Sequence, residues 1–159
     1  MWPFKKKEFT LDQFGLSPEE KREINDFFNT FTTADGRRIG REAQTPAVLS
    51  GLVAHGLWNF AEQKIVAADF DYQSIHREAL INKAVTAIKK AYAIDSLPIY
   101  LYDLANYLEL VGKTLAADEA LEAFLEAHDA YEPRSHDEIF LSKRDIEAAV
   151  ADAKQKLGG

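Results

Sequence analysis

The chain has 159 residues, a formal net charge of −7, 47% hydrophobic residues and no cysteine. This length suits one domain that buries about two-thirds of its unfolded surface. The lack of cysteine excludes disulfides, thiolate metal sites and cysteine nucleophiles. It fits a reducing compartment, and no apolar run is long enough to cross a bilayer. We therefore expect a soluble, cytoplasmic protein.

The acidity is concentrated in one part of the chain. Residues 96–133 contain eight Asp or Glu against the single base Lys113, which gives −7, whereas the remaining 18 acidic and 18 basic residues cancel. A surface with this charge repels phosphate, so nucleic acid is not an expected partner. A basic or amphipathic protein segment fits it better.

The first segment, 1–16, differs in composition from the rest and predicts a loosely attached N-terminal region. Its aromatic and basic residues include Trp2, Phe4, Lys5, Lys6 and Lys7. Two interpretations stay open. The aromatic residues fold back onto the body, or they make a weak membrane-surface contact in which the lysines face anionic lipid.

Residues 17–45 predict an N-terminal helix and a connection. Ser17 can cap the helix, Pro18 suits its first position, and Glu20 completes a capping box. Four large apolar residues then recur at helical spacing; they are Ile24, Phe27, Phe28 and Phe31. This apolar face is expected to pack against the remaining helices or to mediate self-association.

Residues 46–133 predict four helices arranged as two hairpins. Thr45-Pro46 repeats the cap-then-proline signal, and Gly112 is a typical left-handed helix stop. The first two predicted spans are 46 to about 67 and 74–94. After a break at 95–98, a third helix runs to Val111, and a fourth runs from Thr114 or Leu115 to a point before Pro133. Gly51 and Gly56 lie inside the first of these helices, where close contact with another helix would offset the stability that each glycine costs.

Residues 134–159 predict a C-terminal helix. Ser135 with Glu138, and Ser142 with Asp145, are two possible capping boxes before it. No segment alternates with period two over a strand's length. The sequence therefore predicts an all-α domain of about five or six helices.

Two of the predicted helices repeat the same pattern of small and large residues 36 positions apart. Ala84, Ile88 and Ala91 in one correspond to Ala120, Phe124 and Ala127 in the other. Small residues at helical spacing let neighbouring helices approach closely. A repeated pattern of this kind indicates a repeated helix-packing unit.

Residues 97–133 resemble a tetratricopeptide repeat. The large and small residues of its first helix are Leu101, Leu104, Ala105 and Leu108, and its second helix carries the segment 118–121, Phe124 and Ala127, followed by Pro133. The match is weaker over 46–96. The resemblance implies stacked helical hairpins closed by a C-terminal capping helix; a right-angled helical bundle is the alternative.

The resemblance also implies a concave surface that binds a peptide or helical segment. Its lining would be Ile99, Tyr102, Asp103, Asn106 and Glu109. Two of these residues carry negative charge, so a basic or amphipathic partner is expected, with Tyr102 as an apolar anchor. The alternative is that the two carboxylates belong only to the solvated side of a helix.

A second class of function is a metal-binding protein or small helical enzyme. His55 and Glu62 share one helix face seven residues apart, and His76 begins the next helical block, so the three could hold a metal in a bundle core. The paired motifs of di-metal bundles and zinc proteases are missing. No phosphate loop or nucleophile motif occurs either. A non-catalytic scaffold without a cofactor is therefore the preferred prediction.

Overall fold

The computed structural model describes residues 11–30, 45–71 and 73–158. Within these ranges the protein is all-helical and contains no β-strand. The six α-helices are α1 (Pro18–Thr30), α2 (Pro46–Asp69), α3 (Ser74–Ile94), α4 (Ile99–Leu110), α5 (Thr114–Ala130) and α6 (Lys143–Gly158). Short 3-10 turns at Leu11–Phe14 and Asp137–Ile139 precede α1 and α6.

Local signals in the sequence account for most helix boundaries. The Ser17–Glu20 capping box forms in both directions, with N···O distances of 2.8 and 3.1 Å. The Thr45 hydroxyl accepts a hydrogen bond from the Val48 N–H at 3.3 Å. Gly112 adopts φ +75°, and two backbone bonds around it close a Schellman motif that ends α4.

The segment before α6 differs from the prediction. Ser135 does not cap a helix; a 3-10 turn forms at Asp137–Ile139 instead, without a side-chain cap. The second predicted cap is confirmed, because the Ser142 hydroxyl accepts from the Asp145 N–H at 3.2 Å. This leaves residues 131–142 as a connection that crosses from the end of α5 to the start of α6.

Each helix packs against the next one in the chain, and α6 also contacts α4. This order of pairing is typical of antiparallel helical hairpins laid side by side. The repeated residues lie at the contacts: Ala84, Ile88, Ala91 and Phe124 have no exposed surface, and Ala120 is 8% exposed. They belong to one large hydrophobic core.

Helix α2 is apolar around most of its circumference and is covered from several sides. A Cβ on Gly56 would lie 3.1 Å from Ile24 of α1, and one on Gly51 would lie 2.7 Å from the Phe140 ring. The predicted close contact with another helix is confirmed at Gly56, whereas the neighbour of Gly51 is Phe140 of the 131–142 connection and not a helix. The missing side chains let α1 and the 131–142 connection reach the α2 backbone.

Ion pairs join the start of α1 to the hairpin formed by α2 and α3. The Glu19 carboxylate contacts Lys64 of α2 at 2.7 Å and Lys83 of α3 at 3.0 Å, and these partners lower its pKa. Glu20 contacts Lys90 of α3 at 2.7 Å. Since α1 joins the other helices through one apolar face, these pairs fix its direction.

The Arg134 side chain, in the 131–142 connection, binds to the link between α3 and α4. Its guanidinium donates to Asp95, in the α3–α4 link, at 2.6 and 3.2 Å and to Asp137 at 2.9 Å. Burial opposes the charge on Arg134, but the bonds to the two carboxylates outweigh it and raise the pKa. Asp95 is 5% exposed, so Arg134 supplies the compensation that this buried charge requires.

Removing the guanidinium should destabilise the protein strongly. We expect Arg134→Ala to lower the free energy of unfolding by about 2–4 kcal/mol, because Asp95 then remains buried without a cation. Asp95→Asn in the Arg134→Ala background should recover at least half of the loss. Urea denaturation of the wild type, both single variants and the double variant measures the coupling. Additive effects would contradict the assignment.

Candidate functional site

Helices α2, α4 and α6 form a groove of about 400 Å³ on one side of the molecule. Its lining residues are Glu62, Ile65, Asp103, Asn106, Tyr107, Glu109, Leu110 and Lys156. Most of them come from α4, which forms the floor, whereas α2 and α6 contribute the walls. Three of the eight are carboxylic acids, so the groove is acidic.

Glu62 and Tyr107 join α2 to α4 inside the groove. The Tyr107 hydroxyl donates to the Glu62 carboxylate at 3.0 Å. Burial and the neighbouring carboxylates Asp103 and Glu62 raise the pKa of Tyr107 well above its usual value. Tyr107 therefore stays a neutral donor, and the Glu62 carboxylate stays directed toward the groove.

Asp103 is the least solvated of the three carboxylic acids. Burial, followed by the charge of Glu62, raises its pKa to about 7. The Trp58 indole lies close enough to lower this pKa in part. Neither that N–H nor the buried Asp103 Oδ2 has a hydrogen-bond partner of good geometry among the described residues. Such a carboxyl gains free energy when a cation reaches it.

A polar network ties α6 to α4 at the edge of the groove. The Tyr102 hydroxyl donates to Asp152 at 2.6 Å. Lys156 contacts Asp152 at 2.9 Å and donates to Asn106 at 3.0 Å. Burial and the Asp152 hydrogen bond raise the pKa of Tyr102 to about 12. The charge of Lys156 is thus paired with Asp152, which does not line the groove, and Lys156 leaves the negative charges of Glu62 and Glu109 in excess there.

The structure brings together three of the five residues predicted to bind a partner. Asp103, Asn106 and Glu109 line the groove, but Tyr102 packs beneath α6 with its ring 5.5 Å from Phe124. Ile99 is buried and lines a different cavity. The face of α4 that lines the groove therefore includes Tyr107 and Leu110 in place of the predicted Ile99 and Tyr102.

The added groove residues differ in how far the sequence could indicate them. Tyr107 and Leu110 continue the helical stripe of Asp103 and Asn106 at i+4 and i+7, which is a usable signal. Lys156 carries no such signal, since it lies 50 residues from Asn106 in the chain.

The predicted metal candidates do not converge. His55 lies mid-way along α2, in contact with the aromatic rings of Phe27, Trp58 and Phe140. His76 is exposed at the start of α3, 3.7 Å from Asp71. Among the described residues, no group of three or more His, Asp or Glu is arranged to hold a metal ion. Burial lowers the pKa of His55 to about 4, so it is neutral in the core.

The predicted membrane contact lies outside the described residues, because Trp2, Phe4 and the three lysines precede residue 11. Phe31 and the 31–44 connection lie outside them as well. Within the described part of the chain, no helix combines the length and the apolar character needed to cross a membrane.

Comparison with protein-family models, with curated proteins and with solved structures finds no match to this sequence. The resemblance to tetratricopeptide repeats thus stays a prediction. What the groove binds is inferred from its own residues.

The pKa of Asp103 predicts a stability that falls as the pH rises. The folded protein keeps this proton up to about pH 7, whereas the unfolded chain loses it near its ordinary value of 3.8. The free energy of unfolding of Asp103→Asn minus that of the wild type should increase by about 2–4 kcal/mol from pH 4 to pH 8. Denaturation at a series of pH values measures it, and a constant difference would contradict it.

His55 predicts a trend of the opposite sign. Its folded pKa of about 4 lies below the ordinary 6.5, so the unfolded chain gains a proton first as the pH falls. The contribution of His55 to the free energy of unfolding of the wild type is therefore complete above pH 6.5 and is lost as the pH falls toward 4. The free energy of unfolding of His55→Gln minus that of the wild type should increase by about 2–3 kcal/mol over the same fall in pH. A flat difference would mean that His55 gains its proton as readily in the folded protein as in the unfolded chain, and it would contradict the lowered pKa.

Proposed function

We propose that this protein is a non-catalytic binding module whose groove between α2, α4 and α6 receives a basic segment of another protein. The observation that carries the proposal is the excess of negative charge in the groove. The carboxylates of Glu62 and Glu109 line it beside Asp103, whose carboxyl ionises when a cation approaches, and Lys156, the cation among the described lining residues, is already paired with Asp152. A lysine or arginine side chain supplies the missing charge.

The apolar residues of the groove fit the rest of such a side chain. Ile65 and Leu110 line the groove together with the carboxylic acids, so they can pack against a lysine or arginine stem while its cationic end reaches Asp103. A whole helix is about 10 Å across, so it would rest on the groove and insert a few side chains. An amphipathic basic helix or an extended basic peptide fits this geometry.

The charge of the neighbouring surface supports the same partner. Residues 96–133 carry eight acidic residues against Lys113, and they form α4, α5 and their link. A surface of one sign next to a groove of the same sign accelerates the capture of oppositely charged segments. The pairing of each helix with its neighbour also supports a tetratricopeptide-like scaffold, and a cysteine-free sequence supports a cytoplasmic location.

Peptide selection tests the proposal with a defined probe. From a random twelve-residue display library, the wild type should enrich peptides that contain lysine or arginine beside an aliphatic residue. The affinity of these peptides should fall at least tenfold, about 1.4 kcal/mol, for Glu62→Gln/Glu109→Gln. The glutamine at 62 keeps an acceptor for Tyr107, so the fold should persist.

The matched control is Glu119→Gln/Glu122→Gln, which removes the same charge from exposed positions of α5 outside the groove. Its affinity for the selected peptides should stay within about threefold of the wild type. Enriched peptides without a basic bias, or equal losses for the two variants, would show that the groove is not the binding surface.

The protonated Asp103 predicts that binding of a basic peptide releases a proton. A cation beside Asp103 lowers its pKa, so affinity should rise between pH 5 and pH 7 and level off above the free-state value of about 7. Isothermal titration at pH 6 in two buffers of different ionisation enthalpy measures the released proton. Asp103→Asn should abolish this buffer dependence; if the variant keeps it, Asp103 is not in the bound site.

A further inference from the structure

A second cavity lies at the opposite end of α4. It has a volume of about 330 Å³ and is bounded by the first residues of α4 and α6, the last turn of α5 and the 131–142 connection. Its walls are mainly apolar and include Ile99, Phe124, Leu141 and Ile146. Three of these four side chains are at least 90% buried, so the cavity is continuous with the core.

The charged groups around this cavity compensate one another. Arg134 and Asp137 line it but are bonded to each other at 2.9 Å, and Arg134 is also held by Asp95. Lys143 and Glu138, both exposed, add one charge of each sign. Unlike the acidic groove, the cavity offers no net charge to a ligand.

Two polar side chains can orient a ligand in the cavity. The half-buried His128 ring lies 6.2 Å from the Phe124 ring and can donate or accept a hydrogen bond. The Tyr131 hydroxyl donates to Asp137 at 2.6 Å, and its ring, which borders the cavity, lies 5.7 Å from the Arg134 guanidinium. Aromatic faces and one imidazole are suited to a ring with a single polar atom.

We infer that this cavity binds a small neutral molecule with an aromatic or branched aliphatic body and one polar atom. Its volume lies at the lower end of small-molecule sites, which hold about 300–1,000 Å³. The connection supplies half of the lining residues, and the lining is mainly apolar and balanced in charge. A free molecule needs only the internal space.

This inference is independent of the proposed groove function. Ile99 and Asp103 lie four residues apart on α4, or about 6 Å along its axis, but they line different spaces. Loss of peptide binding in the groove leaves the cavity unchanged, and the reverse also holds. The two sites can therefore be tested separately in the same protein.

The test compares ligands with similar bodies and different charge. We expect 2-naphthol and indole to bind the full-length protein, and 2-naphthoate and 2-naphthylmethylammonium to bind at least tenfold more weakly than 2-naphthol. Saturation-transfer NMR and calorimetry measure the affinities, and methyl shifts of Ile99 and Ile146 locate the site. No binding of the neutral probes, or tighter binding of a charged one, would overturn the inference.

A capped amino acid separates a free ligand from a partner's side chain. N-acetyl-tryptophanamide should bind at least tenfold more weakly than indole, because the mainly apolar lining cannot satisfy the hydrogen bonds of its two amides. If it binds more tightly than indole, the cavity serves a side chain of a protein partner and the small-molecule assignment is wrong.

A filled cavity supplies the structural control. Ile146→Trp should reduce 2-naphthol affinity at least tenfold and leave peptide binding in the groove intact. Leu115→Trp adds the same ring at a position that is 74% exposed and outside the cavity, and it should change nothing. Ile146→Phe serves the same purpose if the larger ring prevents folding. Unchanged 2-naphthol binding in a folded filled variant would overturn the site.

Discussion

The arrangement of the C-terminal half depends on one guanidinium. Arg134 is bonded to Asp95 in the α3–α4 link and to Asp137 in the connection before α6. Both carboxylates are largely buried, and a buried carboxylate without a cation is unfavourable by several kcal/mol. The two links must therefore meet at Arg134. That meeting determines where α6 begins, and so where it can lie against α4.

The position of α6 determines both candidate sites. At its first turn, Lys143 and Ile146 complete the apolar cavity, and at its last turn Lys156 completes the acidic groove. Helix α4 contributes to the two spaces from opposite ends. The molecule thus offers one apolar, charge-balanced space and one acidic space on the same pair of helices. This contrast is the physical basis for assigning them ligands of different chemistry.

The six helices could be predicted because short-range signals mark their ends. Thr45-Pro46, the break at 95–98 and Gly112 act within a few residues, so a single sequence reveals them. The stretch 134–142 was harder, because its conformation follows from the Arg134 bonds to Asp95 and Asp137 and not from the Ser135 cap. A contact between residues 39 positions apart leaves no local pattern.

The groove could be predicted only in part for a related reason. Helical spacing alone places Asp103, Asn106 and Glu109 on one face of α4. Which of the adjacent residues on α4 are also open to the groove depends on the neighbour that covers Tyr102. Tyr102 is covered because Asp152 and Lys156 of α6 hold it, and those residues follow some 50 positions later. Ile99 belonged to the predicted lining but faces the cavity formed by the connection.

The contact between Gly51 and Phe140 has a mechanical consequence. A Cβ on Gly51 would lie 2.7 Å from the Phe140 ring, so the ring is packed closely against α2 at this residue. The connection therefore cannot shift along α2 without breaking this contact. Phe140 precedes Leu141 of the cavity wall, so the second turn of α2 limits how far this wall can move inward. The groove residues Glu62 and Ile65 lie about three turns further along the same helix, so this limit on the cavity wall does not extend to the groove.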